Sequence, residues 1–209
     1  MKKLTFLLCF LASINFAFSQ GKDKGFISLF DGKTFAGWKV NEEHPATFSI
    51  EDGTIKVAGD RTHLFYEGTV SNHDFKNFEI KLKAKTLPGS NSGIFIHTTY
   101  QAKGWPEKGY EVQVNQTHED WRKTGSLYSF SDVKENLVKD NEWYDYDIIV
   151  KGKRVIIKVN DKVAVDYTEP DTLPENRGLR KFSSGTIALQ GHDPKSVVYF
   201  KDIEVKILD

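Results

Sequence analysis

Glu111, Gln113 and Asn115 fall at every second position of Gly109-Tyr110-Glu111-Val112-Gln113-Val114-Asn115, with Tyr110, Val112 and Val114 between them. That alternation predicts an extended strand with one apolar face and one face carrying a carboxylate and two carboxamides. Such a row of hydrogen-bonding groups suits a cleft that grips a ligand covered in hydroxyls. It suits equally well an outer strand with ordinary polar decoration, because alternation fixes the strand and not the use of its face.

The elements that must position these residues read as strands throughout. Phe48–Ile50 and Thr54–Val57 flank an Asp52-Gly53 turn, the mark of a hairpin. Leu64–Tyr66, Phe75–Ala84, Ser92–Thr98, Thr124–Tyr128, Trp143–Val150, Arg154–Val159, Lys162–Tyr167, Gly185–His192 and Val197–Ile207 follow, separated by polar or Gly/Pro-bearing turns. No stretch holds a helical period over ten residues, and no fixed repeat marks propeller blades. About a dozen strands in one chain of 209 residues predict an all-β fold, two antiparallel sheets packed face to face as a jelly-roll sandwich.

At the N-terminus, Lys2 and Lys3 precede an apolar run from Leu4 to Phe18, with Ala17 and Ser19 before Gln20. This reads as a signal peptide over residues 1–19, cut ahead of a domain spanning 20–209, and the run is too short for a membrane span. The protein is therefore expected to be exported, to the periplasm or beyond. Cys9 is the single cysteine and lies in that run, so the mature chain has no disulfide and no thiolate zinc site, and its stability must come from its core. Charge is balanced at 29 basic against 29 acidic residues, and loss of Lys2 and Lys3 leaves 27 against 29. With no basic excess to neutralise phosphates, nucleic acid is not an expected partner.

The motifs Phe26-x-x-Leu29-Phe30-Asp31-Gly32-Lys33-Thr34-x-x-Gly37-Trp38, Asn91–Phe95, Gly109–Gln113, Thr124–Tyr128, Glu142-Trp143, Val159–Asp161 and Ile187–His192 occur in that order over essentially the whole mature chain. In this the sequence resembles the 3-keto-disaccharide hydrolase domain family. The resemblance implies a concanavalin-A-like lectin/glucanase sandwich, and action on glycosides whose sugar carries a ketone at carbon 3.

If the apolar positions of the matched strands point inward, then His97, Glu111, Gln113, Gln190 and His192 face the cleft. Trp105, Trp121 and Tyr128 could stack on a sugar ring, and His118 could reach in from its loop; His44, His63 and His73 read as surface residues. His97 stands where arginine is common in the family. An ordinary glycosidase needs two flanking carboxylates, and this strand offers Glu111 but then Gln113 and Asn115. A 3-keto sugar does not need the pair. Its ketone acidifies the hydrogen on carbon 2, so Glu111 or a histidine could remove that proton while the aglycone leaves carbon 1, and water then adds across the double bond. The catalytic candidates are Glu111, His97 and His192, with Gln113, Gln190, Tyr128 and Trp105 binding substrate. A divalent metal on His97, Glu111 and His192 would act as a Lewis acid on the ketone, although no tight ligand spacing marks one. The alternative is a non-catalytic carbohydrate-binding module on the same sandwich.

Overall fold

The computed structural model describes residues 25–175 and 178–209, so the expected signal peptide lies outside the described residues. Thirteen strands follow one another among them: β1 (Ile27–Ser28), β2 (Trp38–Val40), β3 (Phe48–Glu51), β4 (Thr54–Ala58), β5 (Thr62–Tyr66), β6 (Phe78–Thr86), β7 (Asn91–Thr98), β8 (Tyr110–Asn115), β9 (Tyr144–Lys151), β10 (Arg154–Val159), β11 (Lys162–Thr168), β12 (Thr186–Gly191) and β13 (Val197–Ile207). Two 3-10 turns, Pro45–Thr47 and Val70–His73, are the helical elements described, and no described helix is long and apolar enough to cross a membrane.

The strands form two antiparallel sheets. The larger runs β11-β10-β9-β6-β13-β4-β3 with β1 on β13, and the smaller runs β2-β5-β12-β7-β8. The large sheet obeys simple alternation. On β6, Phe78, Ile80, Leu82 and Ala84 are buried while Glu79, Lys81, Lys83 and Lys85 lie on the other side, and β9 turns Tyr144, Tyr146, Ile148 and Val150 inward. β13 keeps its inward set only by a bulge. Val198 and Phe200 point in, the register slips between Lys201 and Glu204 around Asp202 at φ 52°, and Ile203 and Val205 point in after it.

The small sheet gives the core Leu64, Tyr66, Ile94, Tyr110, Val112, Val114, Ile187 and Leu189. Its other face is also covered, by a small apolar cluster of Phe65, Phe95 and Ala188 beside Tyr100 and by buried polar side chains. An uncovered sheet face would show exposed residues at every second position. β7, β8 and β12 show none. Loops therefore roof the outer face of this sheet, and the pocket lies beneath them.

Two boundaries differ from the alternation reading. β6 begins at Phe78, because Phe75 leaves the strand to bridge Gly185. Thr124–Tyr128 is a bridged turn rather than a strand, with Leu127 reaching Val112 and Ser131 and with the Gly125 N–H bonded to the Gln113 carbonyl at 3.1 Å.

Candidate active site

β7 lies between β12 and β8, with Gly93 opposite Gln113 and Phe95 opposite Glu111. Glu111 on one outer neighbour and Gln190 on the other meet across β7, where Gln190 Nε2 donates to Glu111 Oε1 at 2.8 Å. Gly93 permits this. A Cβ at that position would stand 2.4 Å from Glu111 Oε1 and 3.0 Å from its carboxyl carbon, so the missing side chain is the space the carboxylate occupies. The cavity above this floor has a volume of about 210 Å³. Asn91, Gln113, Asp120, Tyr128, Arg180 and His192 line it with Glu111 and Gln190, and Phe95 and Trp105 supply its apolar walls.

Glu111 is 8% exposed. Burial pushes its pKa up from the usual carboxylate range to about 7, against the opposing hydrogen bond from Gln190 and the positive charge of Arg180, while Asp120 adds to the rise. Burial also raises the Tyr128 phenol, helped by Asp120, whose Oδ2 accepts from the Tyr128 hydroxyl at 3.3 Å. Asp120 is held in turn by the Arg122 backbone N–H at 2.9 Å and its guanidinium at 3.5 Å, and that guanidinium lies 4.6 Å from the ring centres of both Trp121 and Tyr128.

Four polar atoms lining the cavity are buried without a protein partner among the described residues: Asn91 Oδ1, Gln113 Oε1, Gln113 Nε2 and Gln190 Oε1. Buried polar groups are costly unless bonded, and a sheet face that keeps three such carboxamides turned to one cavity is furnished for a ligand with several hydroxyls.

On the opposite wall, His192 Nδ1 donates to Asp193 Oδ2 at 2.8 Å. Asp193 also accepts from Ser196 Oγ at 2.7 Å and from the Lys195 N–H at 2.8 Å. Burial works against the Asp193 carboxylate, but the bonds from Ser196 and His192 outweigh it and hold its pKa below the ordinary value. The Nδ1–H bond to Asp193 fixes the ring and leaves Nε2 as the nitrogen that can exchange a proton with a ligand. The ring is set between Trp105 and His118, at 5.5 and 5.3 Å between centroids.

Six residues named from the sequence thus meet in one cavity: Glu111, Gln113, Gln190, Tyr128, Trp105 and His192. His97 does not join them. β7 bulges against β12 between the pairs Phe95–Ala188 and Thr98–Thr186, so Ile96 and His97 together oppose Ile187. His97 takes φ 55° there, the inward–outward order fails, and the ring lands edge-on to Phe78 and Phe182. Its Nε2 donates to the Lys76 carbonyl at 2.9 Å and its Nδ1 accepts the Ser183 N–H at 3.2 Å, which ties down the segment bearing Arg180. Burial holds its pKa below the ordinary histidine value. His63, expected at the surface, is fully buried beneath Trp105 and Phe95, where burial lowers its pKa to about 3. Asn91, Asp120 and Arg180 were not singled out. Asn91 opens a matched motif on a central strand, which was a usable signal; the other two come from loops, where alternation carries no information.

Residues 25–206 match the profile of the 3-keto-alpha-glucoside-1,2-lyase-like domain family. The chain belongs to that family. A 3-keto-disaccharide hydrolase of Bacteroides thetaiotaomicron is 29% identical over 88% of this chain and 79% of its own length. A protein of Parabacteroides distasonis assigned to the glycosyl hydrolases has the same fold with a TM-score of 0.75 at 27% identity, covering 88% of this chain and 94% of its own. The carbohydrate-binding module CBM66 of Bacillus subtilis shares the sandwich alone, with a TM-score of 0.57 at 14% identity over 82% of this chain and 96% of that one. In this lyase-like domain, the segments Asn91–Phe95, Gly109–Gln113 and Ile187–His192 are the three adjacent strands that floor the cavity.

The expected metal set of His97, Glu111 and His192 is not assembled, since His97 lies elsewhere. Among the described residues, His118, His192 and Asp193 bring donor atoms within 4.8 Å of one another. The Asp120 N–H points at His118 Nδ1 at 3.1 Å, which turns His118 Nε2 toward Asp193. His192 is hydrogen-bonded to Asp193 and His118 Nε2 stands 3.8 Å from the same carboxylate, so these are the residues that would hold a divalent ion here, in place of the histidine protons, and such an ion would supply a Lewis acid at the edge of the cavity.

Proposed function

We propose that this protein is a carbohydrate-active enzyme that cleaves glycosides whose sugar ring carries a ketone at carbon 3. The ring enters the cavity over Gly93, where the carboxamides of Asn91, Gln113 and Gln190 meet its hydroxyls and Trp105 and Phe95 meet its faces. The Glu111 carboxylate takes the proton from carbon 2. The electron pair of that C–H bond becomes the C1–C2 double bond, and the C1–O bond breaks with its electrons going to the aglycone oxygen. Arg180 and the carboxamide donors stabilise the negative charge that builds on the ketone oxygen, and His192, held through its Nδ1–H by Asp193, gives a proton from Nε2 to the leaving oxygen and then takes one back from the entering water. Water adds across the double bond, oxygen to carbon 1 and proton to carbon 2, so the net change is hydrolysis.

The observation that carries this reading is Glu111 itself: a buried carboxylate raised to about 7, in reach of a cation and facing unpartnered amides. A base with a pKa near neutrality takes up a proton and releases it to solvent with little cost in either direction. Membership of a family described by a 1,2-lyase, and a relative named for 3-keto-disaccharides, support the same substrate and bond.

A second reading draws on Asp120. The strand lacks a second acid, but the loop after β8 brings one to the same cavity, and two carboxylates are what ordinary glycoside hydrolysis uses. Asp120 is, however, already bonded to Arg122 and Tyr128. Aglycone release from a 3-keto-α-glucoside and from its unoxidised parent separates the two. Release from the keto compound alone supports elimination, release from both supports the carboxylate pair, and binding without release makes the protein a carbohydrate-binding module. The same assay with and without chelator reads whether a divalent ion takes part. Export is proposed from residues 1–19, and N-terminal sequencing of the mature protein should begin at Gln20.

A further inference from the structure

The cavity over Gly93 has room for one sugar ring, yet the scissile bond joins that ring to an aglycone which needs a place of its own. A broader groove of about 870 Å³ adjoins the cavity and shares two residues with it, Trp105 and Arg180. Its walls come from the loops 101–107 and 178–180, with Ser129 and Phe130 at one side. Trp105 and Leu179 are exposed by 40% and 54%, which places two of the seven exposed large apolar side chains among the described residues on one groove.

The groove is built rather than incidental. Gln101 Nε2 donates to the carbonyls of Lys103 and Trp105 at 2.6 and 2.9 Å, which braces the Trp105 loop from inside. The two walls are tied to each other by the Gly109 N–H to the Leu179 carbonyl at 3.2 Å and by Arg180 to the Pro106 carbonyl at 3.2 Å. Behind them, Phe182 N–H and the Tyr110 hydroxyl both donate to the buried Glu169, and Lys108 donates to the Ser184 carbonyl at 2.7 Å. An aromatic and an aliphatic side chain exposed on two braced loops of one groove favour a flat apolar group, because each then buries surface that is otherwise wet in the free protein.

We infer that this groove is the leaving-group subsite, and that it selects aglycones presenting an aromatic or apolar face between Trp105 and Leu179. The inference rests on the proposed function for the identity of the bond that is cut. It also gives Arg180 a position at the junction of ring and aglycone, where the reacting atoms must lie.

Methyl and benzyl 3-keto-α-glucosides form a matched pair, since their alcohols leave with similar ease and differ in the ring placed in the groove. The benzyl compound is expected to exceed the methyl compound by about tenfold in kcat/KM, the effect of burying one face of a small ring. In Leu179→Asp the benzyl-to-methyl ratio should fall toward one. A wild-type ratio of one, or a ratio that Leu179→Asp leaves at ten, overturns the inference. Failure to turn over either compound counts against the proposed function instead, and the groove is then read by titrating Trp fluorescence with unoxidised benzyl and methyl α-glucosides. Benzyl binding about tenfold tighter, with the gap closed in Leu179→Asp, supports the subsite; equal affinities overturn it.

Discussion

Glu111 is held by the fold at a cost that its chemistry explains. An acid raised from 4.5 to about 7 on folding keeps its proton in the native state while the unfolded chain loses it, so stability declines as pH rises between those values, by about 3 kcal/mol for a shift of this size. Glu111→Gln removes that penalty, keeps the shape, and leaves the Gln190 contact a polar partner. It should lower kcat/KM by about a hundredfold to ten-thousandfold, the range of a lost general base, while raising thermal stability measured at pH 8. Loss of both activity and stability would show that the carboxylate serves the fold rather than the reaction. The same titration sets the pH profile. The carboxylate form is the base, so kcat/KM should climb through pH about 7 and level above it. Arg180 lowers the Glu111 pKa, so Arg180→Met should displace that limb to higher pH, as a full pH–rate series would read.

Between the strands, the site depends on one absent side chain. Gly93 is where β7 lets Glu111 and Gln190 meet, and Gly93→Ala places a methyl group 2.4 Å from Glu111 Oε1. The carboxylate must move, and kcat/KM should drop at least about tenfold while the far-ultraviolet circular dichroism stays that of the parent, since a displaced catalytic group is felt strongly even in an intact scaffold. At this scale much was legible in the sequence. Alternation in Gly109–Asn115 and Ile187–His192 gave the face that carries Glu111, Gln113 and Gln190, because a strand with one side in the core has no choice about the other. It failed where the backbone left that rule. The bulge at Ile96–His97 reversed the direction of a histidine that simple counting had placed in the cleft. Asp120 and Arg180 come from loops whose paths are set by contacts distant in sequence, such as Ser183 to His97 and Phe182 to Glu169. The buried state of His63 depends on the Trp105 loop folding over it, which β5 alone does not reveal.

As a whole, the molecule divides its work between the two sheets. The large sheet is a scaffold, apolar inside and charged outside, and its core residues hold the small sheet without touching the cavity. Ile148→Ala, fully buried on β9, should cost about 2–5 kcal/mol in denaturant unfolding yet leave the pH profile of activity in place. A shifted profile would mean that the scaffold and the site are coupled more tightly than their separation suggests. The described domain contains no cysteine, so this packing is what stabilises it.

The central claim is that carbon 2 loses its proton during cleavage, and product formed in heavy water tests it most directly. Glucose-3-ulose released from a 3-keto-α-glucoside in D2O should carry deuterium at carbon 2 beyond the level that spontaneous exchange gives to unreacted substrate, because the base gives up the original proton and hydration returns one from solvent. Product released at full rate with its original hydrogen at carbon 2 would contradict elimination and give the reaction to Glu111 and Asp120 as a pair of hydrolytic carboxylates.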